Sequence, residues 1–276
     1  MKVDFKYLFN SARLGLLLAL TFVFESCSVN PFTGKKTIAL IPNSSILPLS
    51  NQEYDKFLSE NKVVSGTLDS ERIIRVGKKL TEAAELWLNA NQYNDYLNDY
   101  NWEYTLVQKD LVNAWCMPGG KIVFFTGILP ITQNETGIAT VMSHEIAHAL
   151  ANHGQQRMSV GLLQFLGSIA GNLSIKDEKD RAIFNIAYAI GSNYGAILPF
   201  SRSHETEADE IGINLMAIAG YDPYEASKFW ERMKLNSKGK KTIPEFFSTH
   251  PSSDKRIKNL KLMAPKAVVE SKKYID

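Results

Sequence analysis

Two histidines and a glutamate stand in one short run of this sequence, His144-Glu145-Ile146-Ala147-His148. In an α-helix, residues four apart lie on one face about one turn apart, so both imidazoles can reach one cation. The glutamate between them can then take a proton from a water on that cation. Buried imidazoles without a partner are costly. The flanking positions that predict burial of this helix are Ile138, Val141, Met142, Ile146 and Ala149. The alternative is a helix that carries two surface histidines by chance.

A catalytic zinc takes three protein ligands and keeps an open position for water. The best candidate for the third ligand is Glu205, with Asp209 four residues on and therefore on the same helix face. Metal-binding histidines usually donate their second ring N–H to such a carboxylate, which is the role expected for Asp209. Glu207 points about 200° away from Glu205 and is expected to be a solvated surface charge. The alternative is a simple acidic helix start.

The elements that position these residues follow from apolar spacing and capping signals. A helix should begin after Asn134, as its N-cap, and end near Gly154, while another should run from Ser203 to Ala219. Strands are predicted over 101–109 and 121–125. Further helices are predicted from Asp69 onward and over 157–173, 181–198, 223–235 and 252–263. This order predicts an α+β fold dominated by helices.

Composition narrows the class of protein. The chain has 276 residues, 45% of them hydrophobic, with 31 Lys+Arg against 29 Asp+Glu. These values exclude a mainly disordered chain, and the near balance of charge gives no general attraction for nucleic acid. The only cysteines are Cys27 and Cys116, so disulfide-rich scaffolds and four-cysteine metal sites are excluded. One compact domain with appendages is expected.

The N-terminus has the pattern of a targeting segment. Basic residues within 1–13 precede an apolar run, 14–24, which is well short of the roughly 20 residues of a spanning helix. Ser26-Cys27 resembles the cleavage site of bacterial lipoproteins, where the cysteine is lipidated and becomes the first residue. We therefore expect a signal peptide over 1–26, lipidation of Cys27 and an extended linker over 27–50. An uncleaved anchor with an incidental cysteine is the alternative.

The motifs together resemble metallopeptidase family forty-eight, which includes the HtpX-like proteases and the CAAX prenyl endopeptidases. The resemblance rests on His144-Glu145-x-x-His148 followed by Ser201-Arg202-x-x-Glu205-x-Glu207-Ala208-Asp209. It extends to Asn113, 118–122, Thr126-Gly127, 248–251 and Arg256. It implies a peptidase domain over 51–265, followed by a tail over 266–276. With no four-helix membrane domain in this sequence, the chain is most similar to the short lipoproteins of the family.

The resemblance also implies a zincin-like fold, with a small sheet whose edge strand, near 121–125, lines the active-site cleft. One Zn²⁺ per chain would be bound by His144, His148 and Glu205, with Glu145 as general base and Asp209 orienting a ligand. The sequence leaves the oxyanion donor open among His204, His250 and Arg256. His250 could instead occupy the open zinc position and block the enzyme. Substrate binding and a structural hydrogen bond to its loop are its other possible roles.

The sequence also predicts the surroundings of His153, of Cys116 and of the apolar segment 182–200. His153 lies about 140° around the helix from His148 and is expected to interact with the helix C-terminus rather than with metal. Cys116 is expected to be a small buried residue. The apolar segment 182–200 is expected to form a helix beside the cleft, with contact with a bilayer surface as the alternative.

The expected function is a zinc-dependent endopeptidase on the periplasmic face of a bacterial membrane, favouring the outer over the inner membrane. Its expected substrates are misfolded or unassembled envelope proteins. The alternative is a non-catalytic, chaperone-like lipoprotein that binds such chains on a zincin fold. Prenyl-protein cleavage is disfavoured, since that activity belongs to relatives with a large membrane chamber.

Overall fold

The computed structural model describes residues 27–193, 197–237, 245–251 and 253–275, so the predicted signal peptide lies outside the described residues. The helices are α1 Asn43–Glu60, α2 Leu68–Ala90, α3 Leu129–Thr132, α4 Glu135–Leu150, α5 His153–Ser174, α6 Glu178–Ser192, α7 Leu198–Ile218, α8 Glu225–Ser237, α9 Glu245–Thr249 and α10 Asp254–Ile275. The strands are β1 Cys27–Val29, β2 Lys36–Ile38, β3 Val63–Val64, β4 Glu103–Val107, β5 Ala114–Met117 and β6 Lys121–Phe125. Helices dominate, which confirms the predicted α+β class. None of the helices in these described ranges combines the length and apolar character needed to cross a membrane.

Four strands form a sheet in the order β3-β4-β6-β5, with β4 and β6 parallel and the other pairs antiparallel. The prediction that 121–125 forms the edge was wrong, because β6 lies between β4 and β5 and all five of its residues are buried. The edge strands are β3 and β5, and β5 is the one that pairs with β6; the turn-rich sequence around β5 did not predict it. Gly119 and Gly120 both have positive φ, 84° and 93°, and make the tight turn that folds β5 back onto β6.

Both faces of the sheet are covered, which explains why β6 is buried throughout. On one face, Tyr54 of α1 packs with Val123 and Phe125 in a small apolar cluster. On the other, Ile122 and Phe124 join the main core. That core includes residues of α2, α4, α7, α8 and α10.

The two ends of the described chain differ from expectation. The predicted linker, 27–50, contains the antiparallel pair β1–β2 and the start of α1. Its Ser- and Asn-rich composition resembles a loop, but tertiary contacts to α7 order it, as described below. The predicted tail, 266–276, continues α10 through Pro265 to Ile275. Buried Ala264 and Ala267 pack that helix against the core.

Helices α4 and α7 position the residues of the motifs. Asn134 caps α4 as predicted, its side chain accepting a hydrogen bond from Gly137 N at 2.9 Å. The helix ends at Leu150, before Gly154, because Asn152 adopts the left-handed conformation with φ 54°. Gly212 of α7 lies so close to α4 that a Cβ there would sit 3.1 Å from His144 N. This close crossing brings the acidic face of α7 to the histidines of α4.

Candidate metal centre

The structure brings four potential ligands together. His144 and His148 of α4, Glu205 of α7 and His250 after α9 are all buried and each offers a ligand atom, all within 4.8 Å of one another. His144 Nε2 lies 3.1 Å from His148 Nε2 and 3.3 Å from Glu205 Oε2. Ligands bound tetrahedrally to zinc at about 2.0–2.1 Å lie about 3.3 Å apart. The spacing of these atoms therefore fits one shared cation.

His250 lies in the position that a fourth ligand would take. Its Nδ1 is 3.2 Å from His144 Nε2 and 3.0 Å from Glu205 Oε2. Its Nε2 is 3.3 Å from Glu145 Oε1. The imidazole thus stands between the glutamate and the ligand cluster, where an attacking water would have to lie.

The second ring nitrogen of His144, Nδ1, contacts Asp209, which forms an ion pair with Arg256. Asp209 Oδ1 lies 3.1 Å from His144 Nδ1, the placement predicted from the i, i+4 spacing to Glu205. Arg256 holds Asp209 in a bidentate pair with both contacts at 2.7 Å. The same guanidinium is 3.1 Å from Glu205 and lies over the Trp230 ring at 3.8 Å. Arg256 is therefore placed to orient two carboxylates.

The far nitrogen of His148 is held by a different chain of contacts. His153 Nδ1 lies 2.8 Å from His148 Nδ1, and His153 Nε2 lies 3.3 Å from Glu207 Oε2. Glu207 in turn accepts hydrogen bonds from Asn30, at 2.9 Å, and from Thr33. Both residues belong to the segment joining β1 to β2.

Two expectations about these residues were wrong. Glu207 is buried rather than solvated, because α7 turns it toward the N-terminal hairpin as well as toward His153. His153 begins α5 and does not continue α4, so the helical angle from His148 does not apply to it. The signal that could have shown this was Asn152, a residue type that readily takes the left-handed conformation.

His204 does not join the cluster. Its Nε2 lies 3.1 Å from Gln156 Oε1, and its ring stacks on His153 with the centroids 4.0 Å apart. Burial lowers the pKa of His204 to about 3, so the ring is neutral. Of the three candidates for oxyanion donor, His250 and Arg256 lie at the cluster. His204 lies outside it and contacts His153 instead.

Burial and hydrogen bonding set the charges of the cluster. Burial lowers the pKa of His148 well below its usual value. Burial opposes ionisation of Glu205, but hydrogen bonds from His144 and His148 outweigh it and lower its pKa. Burial and Arg256 act to lower the pKa of His144, but its bonds to Asp209 and Glu205 raise it to about 9. Neutral imidazole and ionised carboxylate are the metal-binding forms, so metal binding competes with protonation of these side chains.

Glu145 is a polar residue that the fold leaves without a hydrogen bond beside the cluster. Its carboxylate is buried, and Oε1 accepts no hydrogen bond from the described residues, although His250 Nε2 lies 3.3 Å away. A buried polar atom of this kind is costly unless a ligand or water completes it. The unsatisfied oxygen next to two imidazoles and a carboxylate fits a catalytic metal better than a purely structural one.

Comparisons with known proteins agree with this geometry. The sequence pattern of peptidase family M48 matches residues 71–264. The chain is 37% identical over 178 residues to mitochondrial metalloendopeptidase OMA1 of Schizosaccharomyces pombe, covering 63% of this chain and 50% of that protein. Human mitochondrial metalloendopeptidase OMA1 is 30% identical over 258 residues, 91% of this chain and 48% of that protein. The β-barrel assembly-enhancing protease of Escherichia coli is 26% identical over 160 residues, 56% and 32% of the two chains.

The chain therefore belongs to peptidase family M48, a family of metallopeptidases, and the resemblance drawn from its motifs is confirmed. Membership implies a divalent metal, and the four clustered side chains are where the described residues could hold it. The chain spans about half the length of the OMA1 proteins it matches.

Proposed function

We propose that this chain is a zinc-dependent endopeptidase. The observation that carries the proposal is the meeting of His144, His148 and Glu205 around one point, with the unsatisfied carboxylate of Glu145 beside them. Two imidazoles and one carboxylate favour zinc among the divalent ions. The family assignment and the names of the relatives support proteolysis as the reaction.

The residues divide the chemistry among them. His144, His148 and Glu205 would hold the zinc, which when bound makes its water more acidic and polarises the scissile carbonyl. Glu145 would accept the proton of the attacking water and later donate it to the leaving amine. Asp209 keeps the His144 ring oriented, and Arg256 keeps Asp209 in place. Displacement of the His250 ring must free the space that water and substrate need.

Substrate is proposed to dock as an added strand on β5, the edge strand next to β6. Main-chain hydrogen bonds along an edge are largely independent of side-chain identity, which suits cleavage of unfolded chains. We extend this to misfolded or unassembled envelope proteins, with the chain anchored by lipid on Cys27 at the periplasmic face, favouring the outer membrane. The bacterial relative named for β-barrel assembly supports such a role, and the mitochondrial relatives share the peptidase domain.

We also propose that the conformation described is latent. His250 lies among the ligands and faces Glu145, so it would take the position required by the catalytic water. Replacement of His250 by alanine should raise the rate of cleavage while zinc stays bound to the other three ligands. If activity falls instead, His250 contributes to substrate or oxyanion binding.

The decisive experiment is digestion of reduced, unfolded casein by the purified chain, beside Glu145→Gln and His250→Ala. We expect cleavage by the parent or by His250→Ala, none by Glu145→Gln, and arrest by a chelator with recovery on adding zinc. Zinc content per chain is measured in all three proteins. If neither the parent nor His250→Ala cleaves casein while both retain one zinc, the peptidase proposal fails and the non-catalytic binding protein replaces it.

A further inference from the structure

The helical hairpin α5–α6 exposes an unusual amount of apolar surface. On α5, Phe165 is 62% and Leu173 81% exposed, and on α6, Ile183 is 65% and Ile186 64% exposed. The other large apolar residues exposed on the pair are Met158, Leu162, Leu163, Leu166, Ile169 and Ile190. No residue of α6 is buried. Contiguous apolar surface of this kind indicates a binding face.

The inner faces of the hairpin are already paired with each other. Tyr188 reaches Gly167 and donates a hydrogen bond to Gln164 O at 3.0 Å, and Phe184 packs on Gly171. The small residues let the helices approach closely. The exposed side chains listed above therefore lie on outer faces, and the partner they need must come from outside the described fold.

The N-terminal segment enters the fold beside the base of this hairpin. After β2, Leu40 N donates to Ser159 Oγ at 3.0 Å, and Gln155 Nε2 donates to Ile41 O at 2.7 Å. Strand β1 begins at Cys27, directly after the apolar run of the sequence at 14–24. An anchor formed there would hold the base of α5 close to a bilayer.

We propose that the outer face of α5–α6 lies in the interfacial region of a phospholipid bilayer. Segments 158–175 and 182–193 carry no charged residue, and the charges lie at Arg157 and over 176–181. Residues 176–181, at the turn between α5 and α6, include three acidic and three basic side chains. These charges make it costly for the turn to cross the bilayer, so the hairpin would lie along the surface. The proposal rests on the N-terminal anchor of the proposed function for the location of the bilayer.

The test places a reporter on the proposed face. The variants Phe165→Trp and Ile186→Trp are made in the full chain, with Leu86→Trp, on the exposed face of α2, as the matched control. Each is reconstituted with phosphatidylcholine–phosphatidylglycerol vesicles carrying brominated acyl chains, and emission is corrected for the parent. Tryptophan at 165 and 186 should lose emission, and tryptophan at 86 should not.

The outcomes distinguish the proposal for the α5–α6 hairpin from the proposal of an N-terminal membrane anchor. If the protein sediments with vesicles but the tryptophans at 165 and 186 keep their emission, the hairpin proposal is wrong and the anchor stands. If the protein does not sediment with vesicles, both fail. If emission at 165 and 186 changes only on adding unfolded casein, the face binds substrate chains and the membrane assignment is overturned.

A second inference rests on a different observation, the buried contacts that run from the N-terminal hairpin to the metal centre. Asn30 and Thr33 bond Glu207, Glu207 contacts His153, and His153 contacts the far nitrogen of His148. Glu207 and His153 are both buried, so these contacts are shielded from water. We call this series of contacts, from Asn30 and Thr33 through Glu207 and His153 to His148, the relay.

We infer that the β1–β2 hairpin is a positioning element of the metal centre. Seating of Asn30 and Thr33 on Glu207 fixes the ring of His153, and His153 fixes the ring of His148. The residues that directly follow the proposed anchor thus help to set the geometry of a metal ligand 118 positions away in the sequence, counting from Asn30 to His148.

The test compares Asn30→Ala with Lys36→Ala, an exposed position in the same hairpin. Zinc affinity is measured by competition with a chromophoric chelator, and the absorption spectrum of the Co²⁺-loaded protein reports ligand geometry. Loss of such an outer hydrogen bond typically weakens metal binding about 10–100-fold. We expect that loss and a shifted Co²⁺ spectrum for Asn30→Ala, with Lys36→Ala matching the parent.

A comparison at Glu207 separates positioning from folding. Glu207→Gln keeps an oxygen acceptor for Asn30 and should lose less zinc affinity than Glu207→Leu. If Asn30→Ala and Glu207→Leu both fold, by urea unfolding, and bind zinc with parental affinity and an unchanged Co²⁺ spectrum, the relay has no positioning role and the inference is wrong.

Discussion

The helix pair α4–α7 and the hairpin α5–α6 are neighbours along the chain, but they treat their side chains in opposite ways. The first pair buries titratable side chains: His144, Glu145 and Asp209 are each less than 10% exposed. The second exposes apolar surface, with Phe165 and Ile186 both more than 60% exposed. Charges are tolerated inside α4–α7 because almost every one has a partner there. The comparison shows that burial in this molecule is not set by hydrophobicity alone.

One glycine from each region, Gly212 and Gly161, shows the same contrast. Gly212 is the point where α7 meets the backbone of α4, and a Cβ there would be 3.1 Å from atoms of Ser143 and His144. Gly161, in α5, has nothing within 4 Å of an added Cβ. Close approach is therefore required in the metal centre and is absent from this part of the hairpin.

The largest effect should come from Asp209→Ala. Removal of this carboxylate leaves the buried guanidinium of Arg256 without its bidentate partner, which should lower the free energy of unfolding by about 3–5 kcal/mol. Urea unfolding of the zinc-free protein measures the loss. The matched control is Glu210→Ala, at the next, exposed position of α7, for which the change should stay within about 0.5 kcal/mol. Equal effects of the two variants would show that the buried ion pair between Asp209 and Arg256 contributes no more to the free energy of unfolding than an exposed charge.

Truncation of one isoleucine in each region sharpens the comparison. Ile146 is fully buried in α4, and Ile146→Ala should cost about 2–5 kcal/mol, because it leaves a cavity in the core. Ile186→Ala on α6 should change stability by less than about 0.5 kcal/mol in detergent-free solution. Thermal or urea unfolding of both variants checks the difference. A large loss for Ile186→Ala would mean that the outer face of α6 is covered in the folded protein.

Replacement by alanine at Gly212 and at Gly161 should change the free energy of unfolding in opposite directions. Gly212→Ala forces α7 away from α4 and should destabilise the protein by about 1–3 kcal/mol, with weaker zinc binding. Gly161→Ala adds no clash within the helix and should stabilise the protein by about 0.5–1 kcal/mol. Unfolding free energies and zinc affinity are measured for both. A neutral Gly212→Ala would show that the crossing can widen without harm to the metal centre.

The smallest effect concerns Cys116 on the edge strand β5. Burial raises the pKa of its thiol well above the usual value, so the thiol stays protonated and unreactive at neutral pH. A thiol-reactive dye should label Cys116 much more slowly in the native protein than in urea, with Cys116→Ser as the reference that removes its contribution. Fast native labelling would show that β5 opens readily in the folded protein.

Local sequence rules were sufficient for the core of the site. The i, i+4 spacing of His144 and His148, and of Glu205 and Asp209, predicts shared helix faces without any tertiary information. The capping side chain of Asn134 and most helix positions also follow from local signals. These features depend on neighbours within one turn, which the sequence displays directly. Family membership then follows from the order of the motifs.

Other features were decided by contacts between distant parts of the chain. The prediction placed the sheet edge at 121–125, yet pairing with β4 and β5 puts that strand inside the sheet. Glu207 could be recognised as buried only once Asn30 and His153 were brought to it. The position of His250 at the ligand cluster likewise depends on how α9 packs.

The sequence by itself therefore determined the motif residues, the helical character and the family of this protein. The tertiary structure decided which strand forms the edge, which carboxylate supports which histidine, and which apolar faces stay uncovered. The physical reason is range: helix faces and caps are set by hydrogen bonds between near neighbours. Strand order and the partners of buried charges depend on packing between elements far apart in the chain.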